Sequence, residues 1–187
     1  MAVATKKKTY TVDDLWEMSH STGKRLELVK GELRELPPTS SEHGYVELNL
    51  GAILREFVRQ HSLGKVVTGE AGFVLEEGKN ATVRGADVAF IRAEKLPEGK
   101  LPNHFARFAP DLVAEVLSPS DTFPNVLDKV NDWLEAGVAL VWVVDPQGKR
   151  VYIYRKEQPV RVVGDDEMLS GEDVLPGFEC RVSEIFE

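Results

Sequence analysis

Apolar positions along the chain switch between helical and strand spacing often enough to outline most of its elements. In TVDDLWEMS, Thr11 precedes two acids in a first turn, which predicts a short opening helix over about 11–20. RLELVKGELRELP alternates on either side of Lys30-Gly31 and ends at Pro37-Pro38, the pattern of a two-strand hairpin. From Gly44 to about Gln60, Val46, Leu50, Ile53, Leu54, Phe57 and Val58 recur at helical spacing, and Gly64 closes that segment. KVVTGEAGFVLE predicts a strand with a glycine-marked bend, leading through EEGKN into the apolar strand GADVAFI. Residues 92–109, with Pro97, Gly99 and Pro102, read as a loop between two strands, of a length that is often functional. PDLVAEVLS is the next strand, stopped by Pro119. A helix over about Pro124–Ala136 follows, with Gly137 just past its end. VALVWVVD is a fully apolar strand, and RVYIYR is its alternating partner across Pro146-Gln147-Gly148. Strand, helix, strand around residues 111–144 makes a right-handed parallel crossover the default. The expectation is an α/β fold: a mixed central sheet flanked by helices, with an N-terminal helix and β-hairpin. Without an internal repeat or a linker, residues 1–187 read as one domain.

Two of these apolar runs contain an acid. Asp87 lies in GADVAFI and Glu115 lies 28 positions later in PDLVAEVLS; Lys129 follows after another 14 in NVLDKVNDWL. Burying an unpaired carboxylate costs several kcal/mol, so acids in core strands are paired, hydrogen-bonded or bound to a metal. Two carboxylates with a nearby lysine suit metal-dependent phosphodiester hydrolysis. The acids hold a hard cation such as Mg²⁺, and the lysine orients water or balances phosphate charge. Asp111 shares the second strand with Glu115 but lies four residues earlier, about 13 Å away at 3.3 Å per residue. It is expected to cap the strand's start, not to share an ion with Glu115.

Composition narrows the alternatives. With 42% apolar residues, three Trp and eight Phe, the chain suffices for one core. No apolar segment follows MAVATKKKTY, so no secretory leader is expected, and Val138–Val144 is too short to span a bilayer. The single Cys180 excludes an internal disulfide and fits a reducing cytoplasm, where it reads as a small hydrophobe beneath a late strand. The net charge of −8 is unusual for a nucleic-acid partner, but residues 165–187 carry −7 of it and residues 1–164 only −1. A neutral body is compatible with a basic cleft built from Arg84, Arg92, Lys95, Lys100 and Arg107, and equally with those residues being solvated loop charges. CxxC and HExxH spacings are absent, as are a GxxxxGK[ST] loop and a GxSxG elbow, which leaves zinc, nucleotide-hydrolysis and serine-hydrolase chemistry without machinery.

The segments ELVKGELRELPPTSSEHGYVELNL, GADVAFIRAEKLP, PDLVAEVLSPSDT, KVNDWLEAGVALVWVVDP and VLPGFECRVSEIF occur in that order. Together they resemble the Uma-two family, classed among restriction endonucleases of the PD-(D/E)XK superfamily. The resemblance covers roughly residues 10–187, and EVLSPSD followed by AGVxxVWVVDP is its specific part. It implies a restriction-endonuclease-like fold, Mg²⁺ or Mn²⁺ as cofactor, DNA as substrate, and Asp87 and Glu115 as metal ligands. Ala86 stands where the signature has proline, which affects backbone bias and no chemistry. Leu117 stands where the superfamily lysine would be, and the resemblance carries that role to Lys129 on the following helix, against the alternative of a solvent-facing lysine paired with Asp128 or Asp132. It also points to His43, just before the long helix, as a general base, a phosphate contact or a helix-start residue. Glu47 and Glu70 compete as a third acid. An alternative of another class is a catalytically silent fold that serves as a DNA-binding or protein-interaction module, as a homodimer.

Overall fold

The computed structural model describes residues 8–187. Helix α1 (Val12–Thr22) is capped by Thr11, whose side chain accepts from the Asp14 N–H while Asp14 reaches back to the Thr11 N–H. The hairpin β1 (Leu26–Val29) and β2 (Glu32–Glu35) turns at Lys30-Gly31, both at positive φ. Helix α2 (Ser41–Gln60) starts three residues earlier than its apolar spacing suggests, because Ser40 caps it by accepting from the His43 N–H at 3.1 Å. His43 therefore sits within the first turn and not ahead of it. Strands β3 (Gly64–Glu76), β4 (Thr82–Arg92) and β5 (Leu112–Val116) lead to α3 (Phe123–Glu135), with Pro124 in its first turn, and then to β6 (Leu140–Asp145), β7 (Arg150–Tyr154) and β8 (Arg161–Gly164). A separate hairpin, β9 (Met168–Ser170) and β10 (Glu179–Arg181), closes the chain.

The central sheet is mixed. Its strands run β2-β1-β4-β5-β6-β7-β8, with β3 also on β4; β5 and β6 are parallel across the α3 crossover and the other pairs are antiparallel. Strand β3 follows one edge of β4 for nearly its whole length. The opposite edge of β4 is therefore left to two strands: β1 pairs it at Val83, and β5 pairs it at Val88, Ala89 and Phe90. Between them, Arg84 to Asp87 face a fork in the sheet with no strand alongside.

Alternation along β5 divides the core. Leu112, Ala114 and Val116 face α2 and the C-terminal segment, with Val46, Leu50, Leu54, Trp142 and Phe178. Val113 faces the α3 side with Ala89, Val130, Trp133 and Val141. Loop 92–109 connects the ends of β4 and β5 that are remote from the fork. Ala106 bridges to Phe73 on β3, and Leu96 and Ala106 are buried, so this loop is core packing and lines no part of the cleft at the fork. No helix among the described residues is long and apolar enough to cross a membrane.

The acidic tail belongs to the core. Leu169, Val174, Leu175, Phe178, Cys180, Val182 and Ile185 are all buried in the α2-side cluster, and burial raises the Cys180 thiol to about 12. Phe178→Ala should cost about 3–5 kcal/mol by loss of transfer energy and by the cavity left behind. Removal of residues 165–187 should abolish cooperative unfolding. A truncated protein with the melting temperature of the full chain, measured by circular dichroism, would contradict this placement.

Candidate active site

The fork in the sheet gathers the charged residues. Two backbone N–H groups at it are satisfied by side chains, since no strand is there to do so. The Gly85 N–H donates to Glu27 Oε1 at 2.9 Å from the β1 side, and the Val116 N–H donates to Asp87 Oδ2 at 2.7 Å from the β5 side. The β4–β5 register, Val88 with Ala114, sets Asp87 opposite Glu115 one step beyond the last pair. On the other edge, Gly69 and Glu70 of β3 stand against Asp87 alone, a β-bulge with both residues at positive φ. Gly85 admits that bulge: a Cβ on it would lie 3.1 Å from the Glu70 Cβ and carbonyl oxygen.

Helix α3 supplies the counter-groups. Lys129 Nζ donates to Glu115 Oε2 at 2.7 Å, and Trp133, one turn on, donates its indole N–H to Glu115 Oε1 at 2.7 Å. Lys129 Nζ also lies 3.6 Å from Glu27 Oε1. Asp132, on the same helix, takes Arg84 Nε and Nη2 at 2.8 and 2.6 Å, and Arg84 Nη1 donates to Glu27 Oε2 at 2.7 Å. Helix α2 contributes from the other side: His43 Nε2 is 3.3 Å from Asp87 Oδ2, and its Nδ1, buried without a hydrogen-bond partner, lies 4.0 Å from Glu47 Oε2.

Lys129 thus brings one positive charge to three buried carboxylates, Glu27, Asp87 and Glu115, and this sets the protonation pattern. Burial works to discharge Lys129, but Glu115, Glu27 and Asp87 outweigh it and raise its pKa. Burial likewise opposes ionisation of Glu27 and Asp87, yet both are held below the usual carboxylate range, Glu27 by Lys129 and Arg84 and Asp87 by His43 and Lys129. The excess negative charge falls on Glu115: burial pushes its carboxyl up to about 8, Lys129 pulls it down, and Asp87 adds to the rise. In His43, burial lowers the pKa, but the hydrogen bond to Asp87 and the charges of Asp87 and Glu47 raise it overall.

An open cleft of about 350 Å³ exposes this cluster, lined by His43, Asp87, Glu115 and Lys129 together with Arg25, Arg34, Glu70 and segments 35–39, 116–118 and 120–121. The structure brings together Asp87, Glu115, Lys129 and His43. Of the two candidates for a third acid, Glu47 lies beside His43 and accepts from the Gly69 N–H at 2.6 Å, and Glu70 lines the cleft and is paired with Arg25. Among the described residues no group of three or more His, Cys, Asp or Glu is placed to hold a metal ion. Of the five candidate cleft cations only Arg84 lines the cleft, and two carboxylates neutralise it. Arg92 and Lys95 flank Asp111, Arg107 pairs with Glu77, and Lys100 lies near Glu98. Asp111 accepts from the Arg92 N–H at 2.9 Å where β4 gives way to β5, away from the fork.

Sequence reasoning misses Glu27 and Trp133. Glu27 sits in an alternating hairpin where an acid is unremarkable. Trp133 carries a usable signal: it follows Lys129 by four residues on a helix, and a buried indole N–H needs an acceptor.

These protonation states give stability a pH dependence. A carboxyl raised from 4.5 to about 8 contributes stability that is full below 4.5 and is lost as pH rises through about 8. His43, raised above 6.5, acts in the same direction, whereas Asp87 and Glu27 lose their contribution as pH falls below the carboxylate range. The metal-free protein should therefore melt at a lower temperature at about pH 9 than at about pH 6, and Glu115→Gln should shrink the difference. Equal melting temperatures at the two pH values would contradict the charge pattern. Arg84→Met, which strips Glu27 and Asp132 of their partner, should cost about 3–5 kcal/mol in urea denaturation.

Comparison with known proteins agrees with this architecture. The crystal structure described as "a putative nuclease belonging to DUF820 from Anabaena variabilis ATCC 29413" superposes with a TM-score of 0.82, covering 94% of this chain and 97% of that one at 18% identity, a likeness that establishes the shared fold. No curated protein matches the chain. The family described as "Uma2: Putative restriction endonuclease" matches residues 12–183, from the first residue of α1 to just past β10 and with the whole fork included, and the chain belongs to that family.

Proposed function

We propose that this protein is a metal-dependent DNA endonuclease that hydrolyses phosphodiester bonds at the fork between β1, β4 and β5. The observation that carries the reading is Glu115, a carboxylate buried in a core strand, set opposite Asp87 and open to a cleft on one side. Such a placement raises the energy of the empty site, which a ligand with positive charge relieves.

The pair fits a divalent cation. Mg²⁺ and Mn²⁺ are held by one or two carboxylates, with water and substrate phosphate completing the shell, so two acids without a third are an adequate donor set. Asp87 and Glu115 would hold the ion; when bound, it supplies Lewis-acid stabilisation and lowers the pKa of a coordinated water. Hydrolysis would join a water oxygen to phosphorus as the ester P–O bond breaks, the proton released by that water passing to the leaving oxygen. Lys129 contributes a permanent positive charge at Glu115 for the phosphate oxygens and donates hydrogen bonds that orient water. Trp133 fixes the Glu115 rotamer through its indole N–H. His43, whose Nε2 lies 3.3 Å from Asp87 Oδ2, would orient that carboxylate and place positive charge beside it.

The second reading, a catalytically silent module that works as a homodimer, draws on Leu117 in place of the superfamily lysine and on Lys129 being engaged by Glu115. Cleavage decides between the two. On mixed plasmid, single-stranded and branched DNA with Mn²⁺, wild-type protein should cut, and Glu115→Gln and Lys129→Ala should each lose at least ~100-fold in rate while remaining folded. Leu117 lines the cleft two residues beyond Glu115, so Leu117→Lys in the Lys129→Ala background should recover part of the loss; Lys149→Ala, in a surface turn, should lose nothing. Equal rates for wild-type and Glu115→Gln protein would remove the site assignment, and absence of cleavage with all three DNA forms would favour the silent module.

A further inference from the structure

Lys129 serves the scissile phosphate beside Glu115, and the arginines at the heart of the cleft are paired with its acids, so a neighbouring phosphate needs a cation from elsewhere. Arg84 is held by Glu27 and Asp132, Lys129 by Glu115 and Glu27, and Arg25 by Glu70, while its Nη1 also donates to the Pro37 carbonyl at 3.1 Å. Among the described residues, the cleft-lining cation left without a carboxylate partner is Arg34.

Its position is set by the sheet. Arg34 on β2 is the cross-strand partner of Glu27 on β1, so both project from one face of the hairpin, and Glu27 points at Lys129. Arg34 thus stands one strand spacing, roughly 5 Å, outward from Glu27 on the active face. The hairpin that carries it is firm: four residue pairs join its strands, the Leu36 N–H donates to the Arg25 carbonyl beyond them, and Leu28 and Val29 are buried. Arg34 itself is exposed. An unpaired guanidinium carried by a firm hairpin at the rim of the cleft has the planar fork that matches two phosphate oxygens.

On the reading that Asp87 and Glu115 hydrolyse a phosphodiester, we infer that Arg34 is the phosphate-binding residue of the cleft rim, holding a backbone phosphate next to the scissile one. Substrate strand then runs across the hairpin face from Arg34, past Glu27 and Lys129, to the acid pair. Arg34 acts in binding and not in the chemical step, and its replacement acts on affinity and on salt dependence.

The test uses full-length protein and fluorescently labelled DNA, single-stranded and duplex, by anisotropy in EDTA over about 50 to 200 mM salt, with cleavage kinetics in Mn²⁺ alongside. Arg34→Ala should weaken binding about 3- to 10-fold and reduce the slope of log K against log salt by about 0.7–0.9, while raising KM and leaving kcat unchanged. Arg34→Lys should retain the slope. Arg59→Ala, an exposed position on α2 paired with Glu56, should change neither quantity, and all variants should melt with the wild type. If the wild type cleaves DNA and Arg34→Ala keeps the parental slope and KM, or loses kcat instead, the inference about Arg34 fails while the nuclease reading stands. If the wild type neither binds nor cleaves, both fail together.

Discussion

Strand β4 offers one edge to two partners, and the gap between them shapes the rest of the site. Where β1 has ended its pairing and β5 has not begun, backbone N–H groups would be left unsatisfied, at a cost of about 1–3 kcal/mol each. Glu27 and Asp87 accept two such hydrogen bonds, from Gly85 and Val116. The same carboxylates that complete the sheet create the concentration of negative charge that Lys129 and Arg84 must balance. The site is in this sense a consequence of the sheet's topology: remove the acids and the fork has no means of closing; retain them and it becomes a place where positive charge is wanted.

Helix α3 answers that demand by its spacing. Lys129, Asp132 and Trp133 fall on one side of the helix, where Lys129 and Trp133 meet Glu115 and Asp132 meets Arg84. Val130 and Trp133 anchor the helix in the core beneath the sheet. The crossover that joins β5 to β6 therefore both covers a sheet face and delivers the cation. A lysine two positions after the glutamate would come from the strand itself; here Leu117 occupies that place and the helix supplies the charge.

Much of the fold and of the candidate site's placement is legible in the sequence, and the reasons are specific. Asp87 and Glu115 stand out because acids interrupt otherwise apolar strand runs, and the hairpin, both long helices and the parallel crossover follow from periodicity and turn residues. Apolar spacing leaves His43 ahead of its helix because that spacing marks the buried face, while the helix start is set by the Ser40 cap. Length alone gives loop 92–109 a functional place, but its Leu96 and Ala106 bury themselves against the sheet. The buried ion pair of Glu27 and Arg84 is hidden from sequence reading, because it depends on two strands distant in sequence lying side by side. The bulge at Gly69-Glu70 shows in the sequence only as a bend, since its register against Asp87 is a property of the ladder.

Cations the sequence offers for a basic cleft turn out to be structural: Arg84, Arg92, Lys95 and Arg107 all have carboxylate neighbours. The proposed site rests on Glu115, a buried carboxyl whose ionisation burial disfavours in the metal-free protein. The most direct measurement is a carbon-detected NMR titration of the Glu115 side-chain carboxyl with and without Mg²⁺. The expected midpoint is near 8 in the metal-free protein, with a shift well down into the carboxylate range when Mg²⁺ is added. A metal-free midpoint at the ordinary glutamate value, or one that Mg²⁺ does not move, would contradict it.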